Sequence, residues 1–196
     1  MFNKRPDYFP AQKGFTLIEI LVTVAILGLI STAAISIFSS MTAAYNKSSI
    51  INELREEGSR VMDDMERLVR SSGEAAIGGS SELILTLNTS SLEYQQNGQC
   101  KTVTLTLALG SVATNKNNYI NKALSDCEGT ASGAGEMTNT DRTSGVNVSA
   151  LTFSVTGTGP KVVKISLSLE QGLAAAARQD YRASVNLETT VSTRSY

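Results

Sequence analysis

Residues 13–38 read KGFTLIEILVTVAILGLISTAAISIF, an apolar run whose one charge after Lys13 is Glu19. From Phe15 to Phe38 it exceeds the roughly 20 residues that cross about 30 Å of hydrocarbon, so it reads as a membrane-spanning helix. The next charge is Lys47. A carboxylate near the start of such a helix is expensive to bury and calls for a partner and a job. The fourteen residues before Phe15 carry Lys4, Arg5 and Lys13 against Asp7, a net of +2. Excess Lys and Arg beside a span stays in the cytoplasm, which places the bulk of the chain outside. A secretory signal is the plain alternative, with Ser31, Ala33 and Ala34 imitating a cleavage site. Glu19 argues against it, because an acidic residue inside a signal core weakens insertion with no return.

Gly14-Phe15-Thr16-Leu17-Ile18-Glu19, continued by Ile20 to Gly28, resembles the class III leader of type IV pilins and of the pseudopilins of type II secretion. The resemblance implies a prepilin peptidase that cuts after Gly14 and methylates the new N-terminal residue, Phe15. Removing 14 of the 196 residues leaves 182. It also implies that Glu19 pairs with the Phe15 amine of a neighbouring subunit in an apolar filament core, where a charge that is costly alone becomes a register device. Many main-filament pilins have a proline in this helix; here none occurs between Pro10 and Pro160.

Composition fits an exported, filament-forming protein better than an enzyme. The chain has no His and no Trp, and its charge of −1 less the leader's +2 leaves the mature side chains at −3. Without histidine the usual proton shuttle and the commonest metal ligand are both missing. A pI near 5.6 gives no strong basic field for nucleic acid. No nucleophile sits in a recognisable motif and no phosphate-cradling glycine loop follows a strand, so no catalytic residue, metal or cofactor is expected. Cys100 and Cys127 both fall on the outer side. In an oxidising compartment two cysteines more often form a disulfide than a catalytic or metal pair, with two buried thiols as the alternative.

Past the span, Ile50, Ile51, Leu54, Val61, Met62, Met65, Leu68 and Val69 recur at three- and four-residue steps, with Gly58 on the same face. That periodicity continues the helix, to a total of about 55 residues from Phe15, and its stripe needs an apolar surface to lie on. Ser71-Ser72-Gly73 and Gly78-Gly79 break the pattern. Val103, Leu105, Leu107 and Leu109 then alternate with polar or small residues, as do Val163, Ile165, Leu167 and Leu169, each a half-buried strand. Weaker strands are expected at 83–87, 92–95, 146–155 and 183–191, with a bulge near Ser149-Ala150. Gly157-Thr158-Gly159-Pro160 makes a hairpin turn. The fold class is therefore α+β, a long N-terminal helix covered by one antiparallel sheet. The expected organisation is a cleaved leader, 1–14; a transmembrane and assembly helix, 15–38; an amphipathic helix, 39–72; and a sheet region, 73–196.

Residues 111–145 and 171–180 read as loops by composition, the second with a helical turn at its four alanines. Asp126, Glu128, Glu136 and Asp141 do not have EF-hand spacing and read as solvated carboxylates rather than a calcium site. Asn46, Asn88 and Asn147 head glycosylation sequons by pattern alone.

Asn147 to Phe153, the Lys161 to Leu169 strand and a last strand running into Val191-Ser192-Thr193-Arg194 resemble the J-type minor pseudopilins and W-type minor pilins, although Ser195-Tyr196 departs from the terminal Arg-Asn of that group. Main-filament pilins often pin their C-terminal region with a disulfide, whereas the cysteines here lie mid-domain. The resemblance therefore implies a minor subunit in the inner membrane, with prepilin peptidase and other pilins as partners. A main pilin, or a membrane-tethered binding module that does not polymerise, stands as the alternative.

Overall fold

A computed structural model describes residues 14–79, 81–87, 101–126, 131–174 and 182–194. The chain separates into two compact units, Met1–Ala43 and Ala44–Tyr196. Helix α1, Leu17–Ser71, contributes residues to both.

In the first unit α1 is apolar on every side, and each described residue up to Thr42 is exposed. Its most apolar 18-residue window has a mean hydropathy of 2.5 with none of it buried, long and apolar enough to cross a membrane. Several hydroxyls in this stretch bond back to the helix: Thr23 donates to the Ile20 carbonyl at 2.8 Å, Ser31 to Leu27 at 2.7 Å and Thr32 to Leu29 at 2.8 Å. In hydrocarbon, where no water serves them, such bonds keep these donors satisfied within the helix.

In the second unit the same helix buries Leu54, Gly58, Val61, Met62, Met65, Leu68 and Val69. This is the stripe predicted from the three- and four-residue spacing. Among the described residues eight strands follow: β1 Ser72–Gly79, β2 Glu82–Leu87, β3 Lys101–Ala108, β4 Tyr119–Asp126, β5 Ala131–Glu136, β6 Val146–Thr156, β7 Val162–Gln171 and β8 Ser184–Ser192. They form two antiparallel sheets, β1-β2-β3-β4-β5 and β6-β7-β8, rather than the single sheet expected. The division falls where turns closed on Asp141 occupy the chain between β5 and β6. Leu83, Leu85 and Leu87 of β2, Val103 and Leu105 of β3, Ile165, Leu167 and Leu169 of β7, and the helical stripe share one buried cluster. The class is α+β, one helix packed on antiparallel sheets.

Register explains two local features. In β6, Val148 is opposite Leu169 but Ala150 is opposite Ser168, so Ser149 is an extra residue, a bulge at the expected place. It shifts the alternation by one, which keeps Leu151 and Phe153 on the buried face that Val146 and Val148 began. At the β6–β7 hairpin Gly157 has φ +103°, a conformation that a side chain would strain.

Three strands depart from the sequence reading. Ser72–Gly79, read as a break, forms β1, and the helix passes directly into it after Ser71. The region read as loop from 111 to 145 contains β4 and β5. β4 has one fully buried apolar side chain, Ile120, and β5, Ala-Ser-Gly-Ala-Gly-Glu, has none to alternate. Both owe their strand form to pairing with β3 and with each other. The expected strand at 92–95 and most of the expected turn at 171–180 lie outside the described residues; Gln171 ends β7.

Candidate processing and assembly site

Gly14, Phe15 and Thr16 precede the helix, so the bond between Gly14 and Phe15 lies in non-helical backbone. A Cβ placed on Gly14 meets nothing within 4 Å. Phe15 is 77% exposed and Leu17 83%. Thr16 caps the helix: the Glu19 N–H donates to its hydroxyl at 3.4 Å and to its carbonyl at 3.1 Å. Thr16-x-x-Glu19 is the spacing of a capping box, and an acidic residue in the first turn also faces the positive end of the helix dipole. Local structure therefore accommodates Glu19 without a cationic partner. Among the described residues it forms no ion pair, and its side chain is exposed.

Cys100 and Cys127 lie outside the described residues. Lys101 and Asp126, next to them in the chain, are Cα partners at the end of the β3–β4 ladder.

Two of the carboxylates considered for calcium, Glu136 and Asp141, are engaged by other side chains and backbone N–H groups. Glu136 pairs with Lys116 and accepts the Thr140 hydroxyl at 3.1 Å. Lys116 holds its carboxyl below the usual range. Asp141 accepts from the Thr143 hydroxyl and N–H, and from the Ser144 N–H and hydroxyl. Those bonds, led by the Thr143 hydroxyl, put it well below the ordinary carboxylate value. Among the described residues no group of three or more His, Cys, Asp or Glu side chains is placed to hold a metal ion. Glu128 falls outside them.

A polar junction absent from the sequence reading ties the two sheets together. Asn117 is fully buried; its side-chain amide donates to the Asp141 carbonyl at 2.5 Å and its Oδ1 accepts the Leu173 N–H at 2.9 Å. The Asn118 N–H donates to Asn147 Oδ1 at 3.1 Å, and the Val148 N–H to the Asn118 carbonyl at 3.0 Å. Asn147 is only 4% exposed, which closes that sequon to a glycan. Asn-rich composition signalled a loop correctly here, but the burial of these amides depends on three segments distant in sequence.

The helix is also fastened to the strands by charge. Glu57 accepts the Asn139 N–H at 3.0 Å while Arg60, paired to it at 2.8 Å, donates to the Met137 carbonyl at 3.0 Å. Glu66 accepts the Thr189 hydroxyl at 2.5 Å and pairs with Arg70 at 3.2 Å. The Thr189 bond, then Arg70, keep Glu66 below its ordinary value. At the far end of the chain the Arg194 N–H donates to the Ser72 carbonyl at 3.1 Å, joining the chain after β8 to the start of β1.

Comparison with known proteins gives one family match: residues 10–35 fit the prokaryotic N-terminal methylation motif. No curated protein and no solved structure matches the chain. The matched segment contains Gly14, Phe15 and Glu19 and ends inside the apolar part of α1. The chain thus carries the class III prepilin leader of type IV pilins and pseudopilins.

Proposed function

We propose that this chain is a minor pilin or pseudopilin, a structural subunit rather than an enzyme. It is anchored in the inner membrane by a single pass with its N-terminus in the cytoplasm, cut after Gly14, methylated on Phe15, and drawn into a type IV pilus-like filament that it helps initiate or cap. The observation that carries the reading is the methylation motif at 10–35 heading a helix whose apolar residues up to Met41 are exposed all round. Such a surface belongs in lipid or among other helices. A filament core supplies the second environment when a subunit leaves the first. Among the described residues nothing demands glycine at 14, which supports a role in recognition by an outside active site, the prepilin peptidase. Glu19 and Phe15 serve the contact with neighbouring pilins.

The minor role is favoured by the strand order after the helix and by cysteines that flank the β3–β4 ladder instead of clasping the C-terminal region. Shearing of whole cells tests it. A minor subunit appears in the filament fraction in traces, a main pilin makes up its bulk, and a merely tethered module is absent.

We also infer that Cys100 and Cys127 are bonded. What supports the pairing is that Lys101 and Asp126, the residues next to the two cysteines in the chain, are Cα partners, and cross-strand partners stand about as far apart as a disulfide spans. The bridge closes a loop of 28 residues counted inclusively from 100 to 127, a stabilisation of roughly 3 to 4 kcal/mol on the chain-entropy model. A non-reducing peptide map should yield the crosslinked pair. Alkylation of both thiols without prior reduction would rule it out.

A further inference from the structure

Strand β5 is the last of its sheet: it pairs with β4, and among the described residues nothing pairs with its other side. Gly133 to Glu136 are exposed. Just beyond them α1 engages the backbone, with Arg60 donating to the Met137 carbonyl at 3.0 Å and Glu57 accepting the Asn139 N–H at 3.0 Å. An uncovered edge offers its N–H and C=O groups to another strand, and proteins usually guard such edges with proline, lysine or a bulge. β5 has neither proline nor lysine, and its one register shift falls at its start, between Ala131 and Gly133. The rest of the edge is open to pairing.

Register shows what lies beside that edge. Gly133 is opposite Leu124 and Gly135 is opposite Lys122, so on the side of the sheet turned toward α1 the edge strand sets two glycines next to a leucine and a lysine. A Cβ at Gly135 would meet nothing within 4 Å, and one at Gly133 only Leu124 Cδ1 at 3.8 Å. The missing side chains leave an open cleft of about 420 Å³ between β5 and α1, with Leu68, Leu124 and Met137 among its walls. Of the charged groups that line it, Arg60 is held by Glu57 at 2.8 Å, Glu136 by Lys116, and Arg67 and Asp64 stand 3.8 Å apart. Lys122 alone has no ion pair among the described residues. We propose that β5 accepts an extended segment of another protein as a sixth strand, one with an apolar and an acidic side chain two positions apart. Residues at that spacing share one face of a strand. Paired along β5, the apolar side chain reaches across Gly133 to Leu124 while the carboxylate reaches across Gly135 to Lys122. Main-chain bonds supply the affinity and the two side chains the selection, as in other strand additions. A basic residue in place of the acid would meet a like charge, which rejects the wrong segment. The proposal goes beyond the filament reading and stands or falls separately from it.

The test uses the full-length protein in detergent and a short fluorescent peptide, Thr-Val-Thr-Val-Thr-Glu-Thr, with a twin that has lysine in place of the glutamate. Fluorescence anisotropy should show saturable binding of the acidic peptide and binding of its twin weaker by about tenfold or more. Lys122→Glu should invert that preference, a result that misfolding would not produce. Gly135→Leu has room for its side chain. It should keep the wild-type melting temperature yet weaken the acidic peptide by about tenfold or more, because the leucine fills the space beside Lys122. Equal binding of the two peptides, no saturable binding of either, or a preference unchanged in Lys122→Glu overturns the proposal. Self-association of the wild type that Gly135→Leu abolishes, with no peptide bound, assigns the edge to a second copy and overturns it as well. None of these results bears on cleavage after Gly14 or on recovery from sheared filaments.

Discussion

Glu19→Val should insert, be cut after Gly14 and fold its outer domain like the wild type, yet almost disappear from sheared filaments. The reasoning weighs two environments. In the membrane a charged carboxylate costs at least about 2.5 to 3.5 kcal/mol at mid-depth and less near the interface. Glu19 sits in the first turn of α1, where the Thr16 cap and the helix dipole favour an acidic side chain. Its removal there loses that contribution but also the cost of placing a charge near hydrocarbon, so the net effect in the membrane is small. In a filament core no water remains, and the Phe15 amine of a neighbour is the strong partner this part of the sequence offers. Deleting one member of a buried pair costs about 3 to 5 kcal/mol because the other charge is left unpaired. Incorporation should therefore drop by about a hundredfold to a few thousandfold. Equal recovery of variant and wild type from sheared filaments, at matched membrane levels, would remove the assembly role assigned to Glu19.

Gly58→Leu should unfold the outer domain at a temperature lower by about 10 °C, through loss of roughly 3 kcal/mol or more. A Cβ at this position would stand 2.4 Å from Leu187 Cδ1 and 2.8 Å from Leu169 Cδ1. Leu187 is half-buried and can yield, but Leu169 is fully buried beneath the helix. The helix therefore approaches β7 and β8 closely only because no side chain intervenes. Gly58→Ala is the instructive control: alanine gains about 1 kcal/mol of helix propensity, which offsets much of the overpacking from one methyl. Its melting temperature should lie between those of the leucine variant and the wild type. If Gly58→Leu melts with the wild type, the packing of α1 on the three-stranded sheet is not as close as described.

The pattern along the chain was readable wherever one residue type repeated at the period of its own element. Leu54, Val61, Met65 and Leu68 disclose the helix face, and the alternation from Val163 to Leu169 discloses β7, because each face meets the core over its whole length. Even the bulge at Ser149 shows as a phase change. β4 and β5 lack such a signal: β5 has no large apolar side chain, and its strand form is imposed by neighbours through the backbone ladder. Two sheets were read as one because the boundary is made by Asp141 bonding to Thr143 and Ser144, a local closure that hydropathy does not register. The site residues Gly14, Phe15 and Glu19 stand out in sequence for a different reason. On the proposed reading they are addressed to partners outside the chain, so packing does not camouflage them. The Asn117, Asn118 and Asn147 junction is the converse case, polar residues that look like surface and are buried by tertiary contacts.

The most direct test of the central claim is an intact-mass spectrum of the protein purified from its native membrane. The account predicts a chain beginning at Phe15, 14 residues shorter than the full sequence, with one added methyl on its amine. Gly14→Leu should leave the leader attached. A mature chain that retains Met1, or one that starts near Ile35 as a secretory cleavage would leave it, contradicts the account.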